Sequence, residues 1–409
     1  MGKGRNSAPL KVLLVTSSYP RQPNDSASVF LRYLAESLSR LGVEIDVLCP
    51  ADQEAGASRE GDVTVHRFRY FPRRLQRLAY RSGILPNLKR NPLLWLEVPF
   101  FVLSLSLALI RQLRRRRPDV IHAHWLIPQG LIAVLGKRLW KIPVVISVHG
   151  GDVFALTHPF IRTLKRCALR RCDAWTSNTR ASAGAALQDD EAPPPRIIPM
   201  GVDAALFGAK STRNCRTPPQ TEFVLLFVGR LVEKKGCDDL LEAFSLLPGE
   251  LQTKSSLWIV GSGADAARLK AQSKSLGIEN KVRFWGQLSN PLLPELYSSA
   301  DLLVAPSVEA ASGDTEGQGV VILEAFASGT CVVATRVGGI TEVIEDGVTG
   351  LLVDPRNPLK LSVAMEDLLR DPERRRRLAE NALRKVREKY DWQKIAAEFH
   401  RVYRDVALK

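Results

Sequence analysis

Residues 305–353 read APSVEAASGDTEGQGVVILEAFASGTCVVATRVGGITEVIEDGVTGLLV, a polar, glycine-rich loop followed by an apolar helix and a β-branched strand. Within this stretch, seven residues separate Glu316 from Glu324. A helix that begins near Gly319 would place Glu316 in the loop before it and Glu324 about one and a half turns inside it. The spacing therefore predicts that both carboxylates face one crevice.

The same loop offers a place for an anion. Gly317 and Gly319 allow a ligand to approach backbone N–H groups closely. The start of a helix adds unpaired N–H donors and a positive dipole end. Because carboxylates accept hydrogen bonds from hydroxyl groups, a pair of them beside this anion site would suit a sugar nucleotide. The alternative is a glutamate that merely caps a helix, which is commonplace, so the interpretation depends on motifs elsewhere in the chain.

Length and composition limit the possible classes of protein. The chain has 409 residues, too many for one ordinary core, so two domains are expected. An apolar fraction of 45% and a charged fraction of 25% are typical of soluble globular proteins. Six scattered cysteines predict a reduced, cytosolic protein without a disulfide framework or zinc site. The apolar run at residues 11–17 is short, so we interpret it as a first strand rather than a signal peptide.

The basic charge is concentrated in one region. The formal net charge is +15, and residues 59–117 contain fourteen lysines and arginines against three acids. This excess predicts an anionic partner, such as nucleic acid, a phospholipid surface or a phosphorylated lipid, and charge alone does not choose among them. No RNA-binding motif accompanies the charge, so nucleic acid is not the expected partner.

A long apolar run lies inside this basic region. Residues 93–110 are mostly apolar but are interrupted by Glu97 and Pro99. A transmembrane helix needs about 20 apolar residues and tolerates a central charge poorly. We therefore predict a buried helix.

The segment before that run mixes basic and apolar side chains. Its arginines are Arg73, Arg74, Arg77 and Arg81, and its apolar side chains are Tyr70, Phe71, Leu75, Leu78 and Tyr80. Such mixtures are typical of segments that lie at a membrane interface. The two predictions are compatible if only residues 70–84 are exposed.

Strands and helices alternate along the whole chain. Residues 11–17, 29–41 and 43–48 give a strand–helix–strand opening. This order requires a parallel sheet with helices on its faces.

Two histidines raise the question of a metal site. His122 and His124 are two residues apart on a predicted strand, and they therefore share one face. Metal binding is one interpretation, but no acidic or cysteine ligand lies nearby in the sequence, so packed, hydrogen-bonded histidines are favoured.

Several motifs resemble one known family. They are HAHWLIPQGL at residues 122–131, HGGD at 149–152, IIPMGVD at 197–203, GRLVEKKG at 229–236 and the E-x7-E pair at 316–324. Together they resemble the retaining glycosyltransferases of family GT4, the glycosyltransferase group 1 family with the GT-B fold. The resemblance extends over nearly the whole chain.

This resemblance implies an α/β fold with two Rossmann-like, doubly wound parallel-sheet domains that face each other across a cleft. Residues 1–205 would form the N-terminal, acceptor-binding domain, and residues 206–385 the C-terminal, nucleotide-sugar-binding domain. The helix in residues 386–409 would cross back to the N-terminal domain.

The resemblance also implies roles for individual residues. Arg230 and Lys235 would hold the donor diphosphate and stabilise charge on the leaving group, a task otherwise done by a divalent metal. Glu316 would hold donor-sugar hydroxyls, Glu324 the ribose hydroxyls, and His149 would lie beside the donor sugar. The expected catalytic residues are His149, Arg230, Lys235 and Glu316. The expected donor-binding residues are Gly229, Arg230, Lys235, Phe284, Gly286, Glu316, Gly317, Gly319, Val320 and Glu324.

Three further residues are expected on the acceptor side. The family usually carries a Gly-Gly pair in its first loop, and in this sequence Ser26, Ala27 and Ser28 occupy the nearest positions instead. Asp152 would orient either the acceptor or its own loop.

The implied reaction moves a sugar from a nucleotide diphosphate to a hydroxyl group with retention at the anomeric carbon. No metal or other cofactor is expected, and the donor would be a UDP-sugar or GDP-sugar, with uridine preferred. The acceptor would be lipid-linked or a cell-surface glycan precursor. The location would be the cytoplasm, with a peripheral position on the inner membrane face as one option because of the basic region.

Other functions remain open from the sequence. A GT-B sugar-nucleotide epimerase or hydrolase would share the fold and act without an acceptor. A non-catalytic protein that binds a membrane surface could use the same basic region. A polymer phosphorylase would need a lysine-bound pyridoxal cofactor, for which no motif is seen.

Overall fold

The computed structural model of the chain describes residues 9–22, 25, 28–52, 54–80, 83–154, 158–187, 192–208 and 222–408. The chain divides into two compact units. Unit 1 consists of Met1–Asn178, Ala183–Ile198 and Trp392–Lys409, and unit 2 consists of Thr179–Ser182 and Pro199–Asp391.

Strands and helices alternate through both units. The strands are β1 Lys11–Val15, β2 Glu44–Pro50, β3 Gly56–Glu60, β4 Val63–Phe68, β5 Val120–His124, β6 Val144–Val148, β7 Ala174–Ser177, β8 Arg196–Ile197, β9 Phe223–Val228, β10 Ser255–Val260, β11 Val282–Gly286, β12 Leu302–Ala305, β13 Cys331–Thr335 and β14 Leu351–Val353. The helices are α1 Val29–Arg40, α2 Ile84–Arg90, α3 Glu97–Arg116, α4 Leu131–Trp140, α5 Gly151–Phe154, α6 Pro159–Arg171, α7 Arg180–Ala186, α8 Ala204–Phe207, α9 Cys237–Ser245, α10 Gly249–Lys254, α11 Ala266–Ser275, α12 Leu293–Ser299, α13 Val320–Ala327, α14 Ile340–Val343, α15 Pro358–Arg370, α16 Pro372–Lys385 and α17 Trp392–Ala407. Short 3-10 or π turns occupy Arg73–Leu75, Pro92–Leu96, Leu126–Gly130, Glu233–Lys235, Asn290–Leu292 and Val386–Tyr390.

Unit 1 is built on one eight-stranded sheet with the order β3-β4-β2-β1-β5-β6-β7-β8. The pairs are parallel except that β3 runs antiparallel to β4 at the edge. The strand order reverses its direction between β1 and β5. In open α/β sheets, ligands bind outside the carboxyl ends of the strands at such a reversal.

The sheet of unit 1 is covered on both faces. Val12 and Leu14 of β1 pack in a cluster with α1 and α17, whereas Leu13 and Val15 pack in a second cluster with α3 and α4. This alternation follows from the two-residue period of a strand. Unit 1 is therefore doubly wound.

The last helix, α17, belongs to unit 1. Its buried side chains include Ile395, Phe399 and Val402, which have the spacing of one helix face. The ring of Trp392 lies 6.2 Å from that of Tyr33 on α1. The segment before it, Val386–Tyr390, packs in unit 2 instead, so the division falls at residues 391/392 and not at the expected 385/386.

Unit 2 contains a six-stranded, fully parallel sheet with the order β11-β10-β9-β12-β13-β14. Leu225 and Phe227 of β9 face one apolar cluster, and Val224 and Leu226 face another. The order reverses between β9 and β12, which gives unit 2 its own ligand-binding edge. Unit 2 begins at Pro199 rather than at residue 206, because Val202 and Phe207 pack in its core.

Helix α3 is buried on one face only, which corrects the prediction of a buried helix. Phe101, Leu105 and Leu109 pack in the core of unit 1, whereas Leu103 and Leu107 on the opposite face are each 57% exposed. In the described part of the chain, Pro92–Arg116 is the one helix that is long and apolar enough, by length and composition alone, to cross a membrane.

The segment before α3 also differs from the prediction. Tyr70, Leu78 and Tyr80 are buried in the core of unit 1, so they do not form an interfacial surface. Of the four arginines predicted there, Arg73, Arg74 and Arg77 are exposed, and Arg81 lies outside the described residues. The large exposed apolar side chains of this region are carried mainly by α3 and the turn before it.

Candidate functional site

The predicted donor residues of unit 2 lie at its reversal of strand order. Gly229 follows β9, and Glu316 lies in the loop between β12 and α13. The Nζ atom of Lys235, in the turn Glu233–Lys235, donates to the carboxylate of Glu316 in an ion pair. Both side chains are largely buried, with 15% and 13% exposed. The structure therefore brings together a cation and a carboxylate that are distant in sequence.

Glycines hold the backbone around this pair. Gly236 has a φ of 59°, and a Cβ atom added there would lie 1.9 Å from the carbonyl oxygen of Pro306. A Cβ atom on Gly338 would lie 2.1 Å from the carbonyl oxygen of Glu316, which also accepts a hydrogen bond of 3.0 Å from the N–H group of Gly339. The loop carrying Glu316 is thus packed against backbone on two sides, with no room for side chains.

The charge of Glu316 is stabilised locally. Burial alone would raise its pKa, but Lys235 and Lys234 outweigh that effect, and the pKa lies below its usual range. The N–H group of Gly319, just before α13, also donates to this carboxylate. Lys234 is itself held by Asp314 at 3.0 Å. Glu316 is therefore ionised at neutral pH.

Glu324 has a different environment on α13. Its carboxylate accepts a hydrogen bond of 2.6 Å from the hydroxyl group of Tyr297, and both side chains are buried. Burial raises the pKa of Glu324 to about 7, although Tyr297 and the charge of Lys235 act in the opposite direction. The two carboxylates of the E-x7-E pair thus differ in protonation, because only Glu316 has a cation in direct contact.

A small pocket opens beside the ion pair. Its lining includes Phe227, Lys235, Ser307, Glu316, Gly319 and Ile340. Helix α13 begins at Val320, so its first-turn N–H groups lie at this pocket. The carbonyl oxygen of the neighbouring Gly317 accepts a hydrogen bond of 2.9 Å from Thr179. Arg230 follows Gly229 directly and has an exposed side chain.

The predicted nucleobase segment lies at the edge of the same sheet. Phe284 and Gly286 are on β11, and the carbonyl oxygen of Gly286 accepts a hydrogen bond of 2.8 Å from the N–H group of Gly261. A Cβ atom on Gly261 would lie 1.8 Å from the carbonyl oxygen of Gly229. The turn after β10 therefore packs directly on the segment after β9, and its glycine is required by this contact.

Unit 1 places a histidine pair at its own reversal of strand order. His124 ends β5 and His149 follows β6. The Nδ1 atom of His124 and the Nε2 atom of His149 are 2.9 Å apart, and the two rings stack. Burial lowers the pKa of His149 to about 3, so its ring is neutral at physiological pH. The Nδ1 atom of His149 is buried and has no hydrogen-bond partner among the described residues.

Asp152 orients its own loop. Its carboxylate accepts backbone hydrogen bonds from Leu126 at 3.0 Å and from His149 at 3.2 Å, and it is buried. This geometry favours the second of the two predicted roles.

Ser28 lies before α1, and its hydroxyl group is 2.5 Å from that of Ser18. Ser26 lies outside the described residues.

His122 is engaged on both ring nitrogens. They are hydrogen bonded to Ser147 at 2.7 Å and to Tyr403 at 2.8 Å. These bonds support the interpretation of a packed histidine. No group of three or more metal-binding side chains occurs among the residues that the structure describes.

Comparison with known proteins agrees with this geometry. The family described as "Glycosyl transferases group 1" matches residues 210–385, and "Glycosyltransferase Family 4" matches residues 27–206. The chain belongs to the group 1 glycosyltransferases of family 4. A D-inositol 3-phosphate glycosyltransferase of Acidothermus cellulolyticus is 30% identical over 92% of this chain and 85% of its own length. An N-acetyl-alpha-D-glucosaminyl L-malate synthase of Bacillus anthracis is 27% identical over 76% of this chain and 81% of its own length.

Solved structures share the fold of this glycosyltransferase. Sucrose-phosphate synthase from Thermosynechococcus elongatus has a TM-score of 0.78 and 22% identity, covering 97% of this chain and 98% of its own. Anabaena HepE in complex with UDP-glucose has a TM-score of 0.69 and 21% identity, covering 97% of this chain and all of its own. The glycosyltransferase therefore has the GT-B fold, with two parallel-sheet α/β domains.

Several residues of the glycosyltransferase site were not predicted. Tyr297 contacts Glu324 from α12, and no sequence spacing indicates that contact. Lys234, which pairs with Asp314 and lowers the pKa of Glu316, was not among the predicted residues. Gly338 and Gly339 were visible as a pair after β13, but only their contact with Glu316 explains them.

Proposed function

We propose that this glycosyltransferase moves a sugar from a nucleotide diphosphate to a hydroxyl acceptor, with retention at the anomeric carbon and without a metal ion. One observation carries the proposal: Lys235, Glu316 and the start of α13 meet where the strand order of unit 2 reverses. A cation and a helix N-terminus there suit a diphosphate, and an ionised carboxylate beside them suits sugar hydroxyl groups.

The diphosphate would be neutralised by the protein itself. Lys235 lines the pocket, Arg230 is exposed two residues after the pocket-lining Val228, and α13 contributes its positive dipole end. Lys235 is paired with Glu316 in the structure. When the donor binds, Lys235 would interact with the diphosphate, and the carboxylate of Glu316 could then accept hydrogen bonds from the sugar.

The two carboxylates would divide the hydroxyl groups of the donor. Glu316 is ionised and would accept hydrogen bonds from the donor sugar. Glu324, whose pKa is about 7, would lose its proton when ribose hydroxyls donate to it, because hydrogen bonds to a carboxylate favour the charged form.

The reaction would break the bond between the anomeric carbon and the diphosphate oxygen and form a bond to the acceptor oxygen on the same face. A double displacement would need a carboxylate on the opposite face to form a covalent intermediate. In the front-face reaction, the proton of the acceptor hydroxyl passes to the departing diphosphate. His149 has a pKa near 3 and is a poor proton acceptor, so it would instead hydrogen bond a donor-sugar hydroxyl.

Uridine is the proposed nucleobase. The support for uridine is that HepE was crystallised with UDP and with UDP-glucose.

For the acceptor we propose a lipid-linked molecule or a cell-surface glycan precursor, which the enzyme would bind in the cytoplasm at the inner membrane face. Its support is the basic region of residues 59–117, which suits an anionic partner.

The first test is a thermal-shift panel of UDP, GDP and ADP with their sugars in the presence of a chelator. A selective rise of the unfolding midpoint would identify the base, since a ligand bound to the native state stabilises it. Glu324→Ala and Lys235→Ala should lose the rise, and Glu295→Ala, an exposed glutamate on α12, should keep it. If no nucleotide raises the midpoint of the wild type, the proposal fails.

A second test separates transfer from the alternatives. Incubation with the identified donor and a panel of hydroxyl acceptors should give a new glycoside, and NMR of its anomeric proton should show the configuration of the donor. Release of free sugar or of an epimer, with equal rates with and without acceptor, would indicate a hydrolase or epimerase instead.

A further inference from the structure

We propose that the outer face of α3 is a docking surface for an anionic lipid bilayer. This outer face consists of Phe100, Leu103 and Leu107, together with Leu96 at the end of the turn before the helix, and each side chain is more than half exposed. The steps of four, three and four residues place them within an arc of roughly 60° around the helix axis, over about 16 Å of its length. A contiguous stripe of large apolar side chains is unusual on the surface of a soluble unit and marks an interaction site.

The opposite face determines how α3 could meet a bilayer. Phe101, Leu105, Leu109 and Leu113 are buried in the core of unit 1. Crossing the membrane would remove these side chains from that core. The helix would therefore lie in the plane of the interface, with only its outer face among the lipid chains.

The one acid in this region is turned away from the surface. Glu97 is the single aspartate or glutamate in residues 70–117. It is buried, and its Oε2 atom accepts hydrogen bonds of 3.1 Å from the N–H groups of Arg77 and Leu78. The outer face is thus free of the negative charge that an anionic surface would repel.

Basic side chains frame the apolar stripe at both ends. The ring of Phe71 packs on that of Phe100 at 5.2 Å, and the exposed Arg73 and Arg74 follow Phe71 by two and three residues. At the other end, Arg111 and Arg114 are exposed one and two turns after Leu107. Basic residues beside an apolar face suit anionic headgroups above lipid chains.

This arrangement favours a bilayer over other occupants. Nucleic acid would use the arginines but would gain nothing from the leucine stripe. A second copy of the chain, related by a two-fold axis, would set the basic ends of one stripe against the basic ends of the other. An anionic bilayer satisfies both the charge and the apolar surface.

Docking would bring the enzyme to the membrane surface, where a lipid-linked acceptor lies. The biological role of docking therefore rests on the proposed function. Binding to vesicles needs neither donor nor turnover. Failure of docking and failure of donor binding are therefore separate results.

The test uses the full-length protein and two kinds of vesicle in a flotation assay. One kind is pure phosphatidylcholine, and the other contains one-quarter phosphatidylglycerol. The variant Phe100→Ser/Leu103→Ser/Leu107→Ser removes the stripe. Its matched control, Leu246→Ser/Leu292→Ser/Leu359→Ser, removes three exposed leucines of unit 2. A third variant, Arg73→Ser/Arg74→Ser/Arg77→Ser, removes charge only.

We expect the wild type and the control to bind the anionic vesicles and to bind pure phosphatidylcholine much more weakly. The stripe variant and the charge variant should each lose about tenfold or more in affinity. In Leu103→Trp, the new indole should shift its emission to the blue on addition of anionic vesicles.

Three results would overturn the proposal. They are no binding of the wild type to anionic vesicles, equal binding of the stripe variant, and equal binding to both kinds of vesicle. A concentration-dependent dimer that the stripe variant abolishes, without any vesicle binding, would assign the surface to a second copy instead.

Discussion

Lys235 and Glu316 form an ion pair although they are 81 residues apart in the chain. The contact joins the turn after β9 to the loop after β12, and both side chains are largely removed from solvent. Removing one member of a buried pair is costly because the other is left as an unpaired buried charge.

Lys235→Ala should therefore lower the free energy of unfolding by about 3 kcal/mol at neutral pH. The lowered pKa of Glu316 in the wild type means that its contribution to stability is present above the ordinary glutamate pKa and is lost as the pH falls. The difference in free energy of unfolding between the wild type and Lys235→Ala should thus become smaller towards acidic pH. Urea unfolding at neutral and acidic pH measures this difference.

The double variant Lys235→Ala/Glu316→Gln is the control for this pair. It removes both charges and should recover much of the lost stability. If the double variant is as unstable as the sum of Lys235→Ala and Glu316→Gln, the two side chains are not coupled and the ion pair is absent.

A second prediction concerns Gly236, whose left-handed backbone sets the position of Lys235. Gly236→Ala would bring a Cβ atom against the carbonyl oxygen of Pro306, in addition to the strain of a positive φ. Gly347→Ala is the matched control, because Gly347 has a φ of 73° but nothing within 4 Å of an added Cβ atom.

Gly347→Ala should lower the free energy of unfolding by about 1 kcal/mol, because only the strain of a positive φ is added. Gly236→Ala should cost clearly more and should also weaken nucleotide binding, because the turn that carries Lys235 must move. Thermal unfolding with and without the nucleotide checks both effects. Equal losses in the two variants would show that the contact with Pro306 is not restrictive.

The third prediction concerns the pH dependence that Glu324 gives to stability. Burial raises its pKa from 4.5 to about 7. A raised carboxyl pKa stabilises the folded state fully below the unfolded pKa, and this contribution disappears as the pH rises through the folded pKa. The wild type should therefore lose about 3 kcal/mol from this group between pH 4.5 and pH 7.

Glu324→Gln cannot ionise and should lack this loss, while its side-chain carbonyl can still accept the hydrogen bond of Tyr297. The stability of Glu324→Gln relative to the wild type should increase from pH 5 to pH 8, as measured by urea unfolding at a series of pH values. Glu295→Gln, at an exposed position, should show no such trend. A constant difference for Glu324→Gln would mean that Glu324 titrates normally.

The sequence was sufficient for the parts of the site that depend on local pattern. Alternating strands and helices predicted parallel sheets, and the sheet order then places the ends of β9 and β12 together. The start of α13 at Val320 agrees with the helix start predicted near Gly319. These features follow from short-range periodicity and from glycine positions.

The parts that could not be predicted depend on contacts between distant segments. Residues 93–110 are apolar on nearly all sides, so no periodicity distinguishes the buried face of α3 from the exposed one. Glu97 was expected to disfavour a membrane span, and its carboxylate in fact lies inside unit 1, where it accepts hydrogen bonds from two backbone N–H groups. The hydrogen bond from the hydroxyl group of Tyr297 to Glu324 likewise could not be predicted, because it depends on how α12 packs against α13.

A fourth prediction separates substrate positioning from donor binding. His149→Ala should leave the affinity for the nucleoside diphosphate unchanged and lower the transfer rate by about tenfold or more, because one neutral hydrogen-bonding group to the sugar is lost. Isothermal titration and initial rates measure the two quantities. Since the pKa of His149 is about 3, the wild-type rate should show no histidine titration near pH 6.5 that the variant loses. Unchanged transfer would remove His149 from the site.

The fifth prediction uses two leucines of α3 that differ only in the face they occupy. Leu105 is fully buried, whereas Leu103, two residues earlier, is 57% exposed. Leu105→Ala leaves a cavity in the core of unit 1 and should cost about 2–5 kcal/mol of unfolding free energy. Leu103→Ala should stay within about 0.5 kcal/mol of the wild type, since surface substitutions rarely do more.

The comparison of these two leucine variants also defines what the lipid experiments mean. The alanine substitutions are identical and lie on one helix, so differences in helix propensity cancel and only burial remains. If Leu103→Ala is as destabilising as Leu105→Ala, the outer face of α3 is covered by protein in solution. Loss of vesicle binding on changing that face would then reflect unfolding. If only Leu105→Ala destabilises, the stripe is solvent-exposed in the native protein, and its response to anionic lipid reports on docking itself.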